Sequence, residues 1–287
     1  MNGPCNAEKT RRAGLVWTRR SLNIAAAAML LAVTHAAFAF DHAHAAWDAL
    51  LKRHVVVSNE GNASRVNYAG FAREQKELNV YLGELSSVTE GEYGKWGPER
   101  QLAFLINAYN AFTVKLVLTR YPDLASIKDL GSFLRSPWKK AFFTLLGAER
   151  SLDDVEHGLI RAPGIFNEPR IHFAVNCAAI GCPMLRAEAY RGDRLDAQLE
   201  DGARRFLGDR SRNRFDPATG SLALSRIFDW YQGDFQKGDR GVNSVAQFIG
   251  RHAELLADDA AARAAVRQGQ VKIRYLDYDW SLNDLKR

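Results

Sequence analysis

The chain has 287 residues, of which 47% are hydrophobic and 25% are charged, with 8 proline and 22 glycine residues. This composition excludes a collagen-like, a low-complexity and a wholly disordered polypeptide, and it predicts a globular protein. The formal net charge is +6, and the three cysteines are too few for a fold that is built on disulfides.

The first 39 residues resemble a signal peptide for export. Basic residues precede an apolar run from Ile24 to Val33, and the small-x-small sequence Ala37-Phe38-Ala39 follows it. We therefore expect cleavage after Ala39 and a periplasmic or secreted mature protein. Ten apolar residues are short for a membrane anchor, and no later segment has the roughly 18 uninterrupted apolar residues of a span, so no stable span is expected after cleavage. Arg19-Arg20 also fits a twin-arginine signal, which exports proteins that are already folded.

Removal of this leader changes the charge argument. Residues 1–39 hold five basic residues and one acidic residue, so 34 basic and 32 acidic residues remain and the net charge falls to +2. No run of Lys and Arg interleaved with aromatic residues remains to suggest a nucleic-acid surface. The expected partner is therefore a small molecule or an envelope protein, not nucleic acid.

Cleavage after Ala39 would also create a possible metal site at the new amino terminus, which would read Phe40-Asp41-His42. The amine, two backbone nitrogens and the His42 imidazole can hold Cu(II) or Ni(II) in a square plane. A frayed tail is the alternative. No other His or Cys spacing matches a zinc site, and we expect no cofactor.

Apolar spacing predicts that helices dominate residues 40–287, which we expect to form a single domain. The candidate helices are 47–55, 71–85, 101–120, 152–159, 196–207, 227–235, 245–252 and 255–268. The helix 101–120 is apolar nearly all round, so it is expected to be central and buried. The candidate strands are 142–146, 170–176, a hairpin within 213–225, and 271–276. Because strands and helices do not alternate regularly, the pattern predicts an α+β fold around a small antiparallel or mixed sheet.

The segment 170–183 holds several residues that could carry chemistry. If 170–176 is a strand, Arg170, His172 and Asn176 share one face, and Cys177 stands where the strand ends. Cys177 could then be a nucleophile activated by a nearby imidazole. Strand alternation disfavours His172 as that base unless the strand breaks at Asn176, and His157 is the other candidate.

Cys177 and Cys182 are the two cysteines that remain after cleavage. In an oxidising compartment they either form a disulfide or perform chemistry, and two inert buried thiols are a third possibility. A disulfide that closes so small a ring stabilises by about 2 kcal/mol in the loop-entropy model. Its expected use is to fix the loop that follows residue 176.

Other polar and aromatic residues have both a structural and a functional interpretation. Asn107 and Asn110 lie three apart on the central helix, so they share one side and either close a hydrogen-bond network or line a pocket. Paired acids near the end of the chain could be general acids or bases, although such acids more often pair with arginine and backbone donors. Three aromatic residues could form a sugar-binding platform or belong to the core. The paired acids are Asp277 and Asp279, and the three aromatic residues are Trp138, Trp230 and Tyr231.

Long motifs spread over about residues 45–285 resemble the family of domain of unknown function 547. They are 102–111, 151–157, 169–183, 225–231 and 275–280. The chain departs slightly at Leu105 and Gly181, where the family usually has an aromatic residue and serine. The resemblance implies no activity, but glutaredoxin-like domains in some eukaryotic members lend weight to thiol chemistry. It also implies a single cluster of Asn107, Asn110, His157, Arg170, His172, Asn176, Cys177 and Cys182.

Three functions therefore remain open. The favoured one is an envelope module that binds a ligand or partner through this polar cluster, with Arg170, Asn176 and Glu156 as binding residues. The second is a thiol-dependent hydrolase or acyltransferase, in which Cys177 attacks, His157 or His172 is the base, and Asn107 or Asn110 donates to an oxyanion. The third is a thiol–disulfide redox role for Cys177 and Cys182.

Overall fold

The structure is a computed structural model that describes residues 39–132 and 136–286. Phe40–Arg287 forms one compact unit. Residues 1–38 of the predicted leader lie outside the described residues, so export remains a prediction. About half of the unit is helical, and its strands are short, which confirms the predicted α+β class.

Helices account for most of the regular structure. In chain order they are α1 (Ala45–His54), α2 (Tyr68–Arg73), α3 (Gln75–Ser87), α4 (Glu90–Tyr93), α5 (Pro98–Leu118), α6 (Leu195–Gly208), α7 (Ile227–Trp230), α8 (Val245–Gly250), α9 (Ala253–Leu256) and α10 (Ala260–Arg267). A π-helix, Asp154–Ile160, and several short 3₁₀ turns complete them. The predicted helix 71–85 is two helices, because the backbone leaves helical geometry at Glu74, where φ is −101° and ψ is 28°. α2 also begins earlier than predicted, since the Asn67 side chain accepts the Gly70 amide.

The strands of the described residues form three small sheets instead of the one that was predicted. They are β1 (Val55–Ser58), β2 (Ala63–Val66), β3 (Phe143–Leu145), β4 (Ala148–Arg150), β5 (Arg214–Asp216), β6 (Ser221–Leu224) and β7 (Lys272–Tyr275). β1 pairs with β2 and β3 with β4, both antiparallel. β6 lies between antiparallel β5 and parallel β7, so this last sheet is mixed and contains the predicted hairpin.

The core is organised around α5, as the sequence predicts. Every residue from Leu102 to Val114 is buried, and α5 contacts α2, α3 and the π-helix. By length and hydropathy alone α5 could cross a membrane, but 83% of its most apolar window is buried inside the protein. Among the described helices it is therefore the core helix. A second apolar cluster lies between α6 and the helices α7–α9.

The prediction of a strand over 170–176 is wrong. Pro169–Phe173 is a 3₁₀ helix, begun by a proline and capped by the Glu168 side chain, which accepts the Arg170 amide at 3.0 Å. All residues from Pro169 to Asn176 are buried, so the alternation of polar and apolar residues does not mark two faces of a sheet. The inference that Arg170, His172 and Asn176 share one strand face is therefore also wrong.

His44, at the start of α1, makes stability depend on pH. The side chain is buried against Tyr81, with its Nδ1 2.8 Å from the Tyr81 hydroxyl, and burial lowers its pKa to about 3. The unfolded state has a pKa near 6.5, so between these values the unfolded state binds about one more proton. Stability therefore falls as the pH falls, and His44→Asn is expected to reduce this slope by about 1.4 kcal/mol per pH unit between pH 5.5 and 4.

The measurement is urea unfolding of wild type and variant at several pH values. Asparagine tolerates the left-handed backbone of this position, where φ is 51°. Tyr81→Phe is the matched control, because it removes the same hydrogen bond and leaves the imidazole, so its slope should remain that of wild type. An unchanged slope in His44→Asn would contradict this assignment.

Candidate functional site

Cys177 and Cys182 form a disulfide, with their Cα atoms 6.1 Å apart. This confirms the disulfide alternative for the pair. The Tyr278 hydroxyl lies 3.2 Å from the Cys177 Sγ and donates to it, since a disulfide sulfur carries no proton. In this state Cys177 has no thiolate with which to attack a carbonyl, so the hydrolase hypothesis applies only to the reduced protein.

The disulfide borders a cavity of about 220 Å³, which we call the aromatic cavity. Six aromatic residues line it, together with two carboxylates and two imidazoles. They are Tyr109, Trp138, Trp230, Tyr231, Tyr278 and Trp280, with Asp153, Glu156, His157 and His172. The structure therefore brings together five of the predicted site residues, namely Glu156, His157, His172, Cys177 and Cys182.

The tryptophans of this cavity pack on one another, and Trp138 also packs against the main apolar core. Trp230 stacks on Trp280 with 5.7 Å between ring centroids, and Trp138 meets Trp280 edge-on at 5.8 Å. Trp230 is 47% exposed, so a ligand can reach it. Trp138, Trp230 and Tyr231 all line this cavity, and Trp138 and Tyr231 also pack against the two apolar clusters, so a sugar-binding platform stays a prediction. Trp280 is a further aromatic residue in the lining of this cavity.

Glu156 enters the cavity from the π-helix. The predicted capping box starts this segment, with the Asp154 amide donating to Ser151 Oγ at 3.1 Å and the Ser151 amide to Asp154 Oδ2 at 2.8 Å. Glu156 is buried and accepts the Tyr231 hydroxyl at 2.7 Å, and Tyr109 interacts with the same carboxylate. Burial, with Glu156 adding to it, raises the pKa of both phenols, which therefore stay neutral donors.

His172 forms a buried pair with Asp234, a residue that no local pattern in the sequence predicts. Its Nε2 lies 2.8 Å from Asp234 Oδ2, and its ring stacks on Tyr231 at 3.9 Å. Burial lowers the pKa of His172. The neutral ring then donates from Nε2, which leaves Nδ1 unprotonated and without a hydrogen-bond partner among the described residues.

Asp234 also receives two cationic side chains. Arg161 Nε donates to it at 2.6 Å and Lys237 Nζ at 2.7 Å. Although burial opposes ionisation, the bonds from His172, Arg161 and Lys237 hold the pKa of Asp234 well below its usual range. Arg161 also hydrogen-bonds to His157. His157 lies at the exposed rim, with its Nε2 3.5 Å from Asp153 and 4.0 Å from Glu156.

The three asparagines lie behind the cavity and not in it. Asn107 donates to the Tyr190 carbonyl at 2.7 Å and accepts the Tyr190 amide at 3.0 Å. Asn110 donates to the Ala174 carbonyl at 3.0 Å and accepts the Asn176 amide at 2.8 Å. Both amide groups of α5 thus bind backbone, and neither residue lines the aromatic cavity. They close a structural network.

Asn176 acts in the same way on the disulfide loop. Its Nδ2 donates to the Pro183 carbonyl at 2.7 Å, and its Oδ1 accepts the Ala178 amide at 3.0 Å. The side chain therefore joins the two ends of the loop that the disulfide closes. Because Asn110 holds the Asn176 amide, this loop is also anchored to α5.

Arg170 lies apart from the aromatic cavity, so the single cluster implied by the resemblance is divided. Its guanidinium binds both Glu168 oxygens at 2.8 and 2.7 Å, Asp196 at 2.7 Å and Glu200 at 3.1 Å. Burial opposes the charge, but these ion pairs raise the pKa of Arg170. The arginine is thus part of a salt-bridge network that joins its 3₁₀ helix to α6.

Asp277 and Asp279 line a different cavity, of about 530 Å³. It also borders the disulfide loop, and Tyr278 lines both cavities. The Tyr278 ring lies 3.0 Å from where a Cβ on Gly181 would be, so glycine at this position allows the close approach. The larger cavity has one aromatic side chain, which is why we place the candidate site in the smaller one.

His42 packs its ring against Trp96, with 4.5 Å between centroids, and Phe40 stacks on the same tryptophan at 5.4 Å. The described residues near Ala39 therefore lie against the protein and are not a free tail. No group of three or more metal-ligating side chains is found among the described residues.

Residues 93–207 match the family described as protein of unknown function, DUF547. This confirms the resemblance over the segment that contains α5, the π-helix and the disulfide loop. Neither a curated protein nor a solved structure matches the chain. Tyr231, Tyr278 and the tryptophans Trp230 and Trp280 lie beyond the matched segment.

Proposed function

We propose that this protein is an exported binding protein that holds a small organic molecule in the aromatic cavity. The observation that carries the proposal is the cavity itself, where six aromatic side chains surround the buried Glu156 and His172 beside a disulfide. Apolar walls with a few fixed polar groups are typical of ligand sites. The aromatic rings would contribute contact area, and the polar groups would orient the ligand.

The surroundings of the cavity favour binding over thiol chemistry. Cys177 and Cys182 are joined, and three asparagines fix the backbone on either side of them. Such rigidity lowers the entropic cost of binding a ligand. A hydrolase would require a reduced Cys177, and a thiol–disulfide role would require an external thiolate to reach one of its two sulfurs. The disulfide and the leader together support a periplasmic or secreted location, because disulfides persist in oxidising compartments.

The test is a screen of small molecules against the purified protein in its disulfide form, read by thermal shift and by tryptophan fluorescence. The panel holds neutral sugars, amino acids, ammonium compounds and aromatic acids. Any compound that binds wild type is expected to bind Trp230→Ala at least tenfold more weakly, because stacking on one aromatic ring contributes on the order of 1–3 kcal/mol. Intact mass after alkylation, with and without reductant, verifies the disulfide and locates the leader cleavage site.

Val80→Ala is the matched control, since Val80 is 55% exposed and does not line the cavity. It should bind like wild type. Binding that Trp230→Ala leaves unchanged would overturn the location of the site. A panel in which no compound binds at millimolar concentration would overturn the small-molecule function.

A further inference from the structure

We infer that the ligand of the aromatic cavity carries a positively charged ammonium group, bound jointly by the Glu156 carboxylate and the surrounding rings. This inference rests on the proposed function and narrows it to one class of ligand. Three features of the cavity support it: the charge of its lining, the burial of Glu156, and the density of electron-rich rings.

The lining is negatively charged. Among the described residues it contains two carboxylates, Asp153 and Glu156, and neither lysine nor arginine. Two nearby cations outside the lining are already paired, since Arg161 and Lys237 both bind Asp234, and a third, Lys128, lies over the Trp280 ring. The one ion-pair partner of Glu156 among the described residues is His157, at 4.0 Å. A cationic ligand would therefore meet an excess of negative charge.

Of the two carboxylates, Glu156 would be stabilised more by a cationic ligand, because it is the more buried. Its residue is 6% exposed, and a buried carboxylate without a cation is costly. The hydroxyl of Tyr231 gives it a hydrogen bond, and Tyr109 interacts with it, but both phenols remain uncharged. Hydrogen bonds from neutral donors solvate the charge without cancelling it. An ammonium group in the cavity would offset it directly.

The rings supply the second half of the site. A cation over the face of Trp or Tyr is attracted by the ring quadrupole, and desolvated cases contribute about 2 kcal/mol or more. Two rings of this cavity already hold cations of the chain, with Lys128 Nζ 5.0 Å from the Trp280 centroid and Arg161 Cζ 4.8 Å from that of Tyr231. Trp138 and Trp230 carry no such cation among the described residues.

The size of the cavity limits the ligand. Its volume of about 220 Å³ is smaller than the roughly 300–1,000 Å³ of sites for drug-sized molecules. A small quaternary ammonium compound, with its charge spread over methyl groups, suits both the aromatic walls and the buried carboxylate. A small neutral sugar would use the same walls but would leave the charge of Glu156 uncompensated.

The experiment compares choline with 3,3-dimethyl-1-butanol, an uncharged molecule of the same shape, by tryptophan fluorescence and calorimetric titration. Choline is expected to bind wild type at least tenfold more tightly than the alcohol. Glu156→Gln should lose at least tenfold in affinity for choline and should bind the alcohol as wild type does. Glu149→Gln, which removes an exposed carboxylate on β4 outside the cavity, is the matched control and should bind both compounds unchanged.

The comparison of the two compounds on wild type needs no variant, so it stands even where Glu156→Gln does not fold. Equal affinity for choline and the alcohol would overturn the inference. Binding of a neutral sugar to the aromatic cavity, lost in Trp230→Ala, without binding of choline would overturn the ammonium class and leave the proposed function intact. Failure of every compound to bind would overturn both.

Discussion

Replacement of Asn107 by alanine is expected to lower the free energy of unfolding by about 3 kcal/mol, because the variant leaves two buried backbone groups unpaired. Asn107 is fully buried in α5 and makes both an accepting and a donating hydrogen bond with the backbone of Tyr190, which is itself buried. Alanine can replace neither bond, and the cavity it leaves is too enclosed for bulk water. Urea unfolding followed by circular dichroism at pH 7 measures the change.

Lys115→Ala on the same helix is the control for the effect of substitution in α5. Its ammonium group bonds to Asn79 at the surface, and exposed bonds of this kind contribute little. The control should lie within about 0.5 kcal/mol of wild type. A loss below about 1 kcal/mol in Asn107→Ala would show that the Tyr190 backbone finds other partners.

Asp234→Asn is expected to cost about 3 kcal/mol at pH 7, because it removes the anion that pairs with His172, Arg161 and Lys237. Its carboxylate is only 12% exposed, so solvent screens these pairs weakly. The folded pKa of Asp234 is far below the unfolded value near 4, so this stabilisation is present above pH 4 and is lost as the pH falls below it. The difference between variant and wild type should therefore shrink in acid.

A double-mutant cycle with Arg161→Met separates the ion pair from other effects of the substitution. We expect a coupling energy of about 2 kcal/mol between the two positions. Lys237→Met is the matched comparison, because that ammonium group is half exposed and should couple to Asp234 by less than about 1 kcal/mol. A coupling energy near zero between Asp234 and Arg161 would contradict the assignment of this ion pair.

The elements that the sequence predicted well are those with a local cause. Helix α5 follows from an apolar run that starts after Gly97-Pro98, and the β5–β6 hairpin follows from the turn residues around Gly220. The start of the π-helix was predicted from Ser151 and Asp154, three residues apart. In each case the decisive contacts lie within a few positions along the chain.

The segment around residues 169–176 shows why local patterns fail. Polar and apolar residues alternate there as in a half-buried strand, yet every one of them is buried. Their partners come from elsewhere, as when Asn110 on α5 accepts the Asn176 amide. Tertiary packing sets this backbone, and periodicity carries no information about burial on all sides.

The candidate site was predictable only in part, because some of its residues stand in local motifs and others do not. Glu156, His157 and the two cysteines stand in short motifs, so their chemistry was visible in the sequence. Asp234 is 62 residues from His172, and Tyr278 is 101 residues from Cys177. Residues so far apart in the sequence produce no local pattern that would predict their contact. The aromatic residues of the cavity likewise come from distant parts of the chain, from Tyr109 to Trp280.

The disulfide loop and Tyr278 have a consequence for how the chain can be altered. The loop borders two cavities, with Cys177 and Cys182 facing one and Ile180 and Gly181 facing the other, while Tyr278 lines both. The loop and Tyr278 therefore lie between the two cavities. A residue of this loop, or Tyr278, therefore cannot be changed for one cavity alone, whereas Trp138 lines the aromatic cavity and not the larger one.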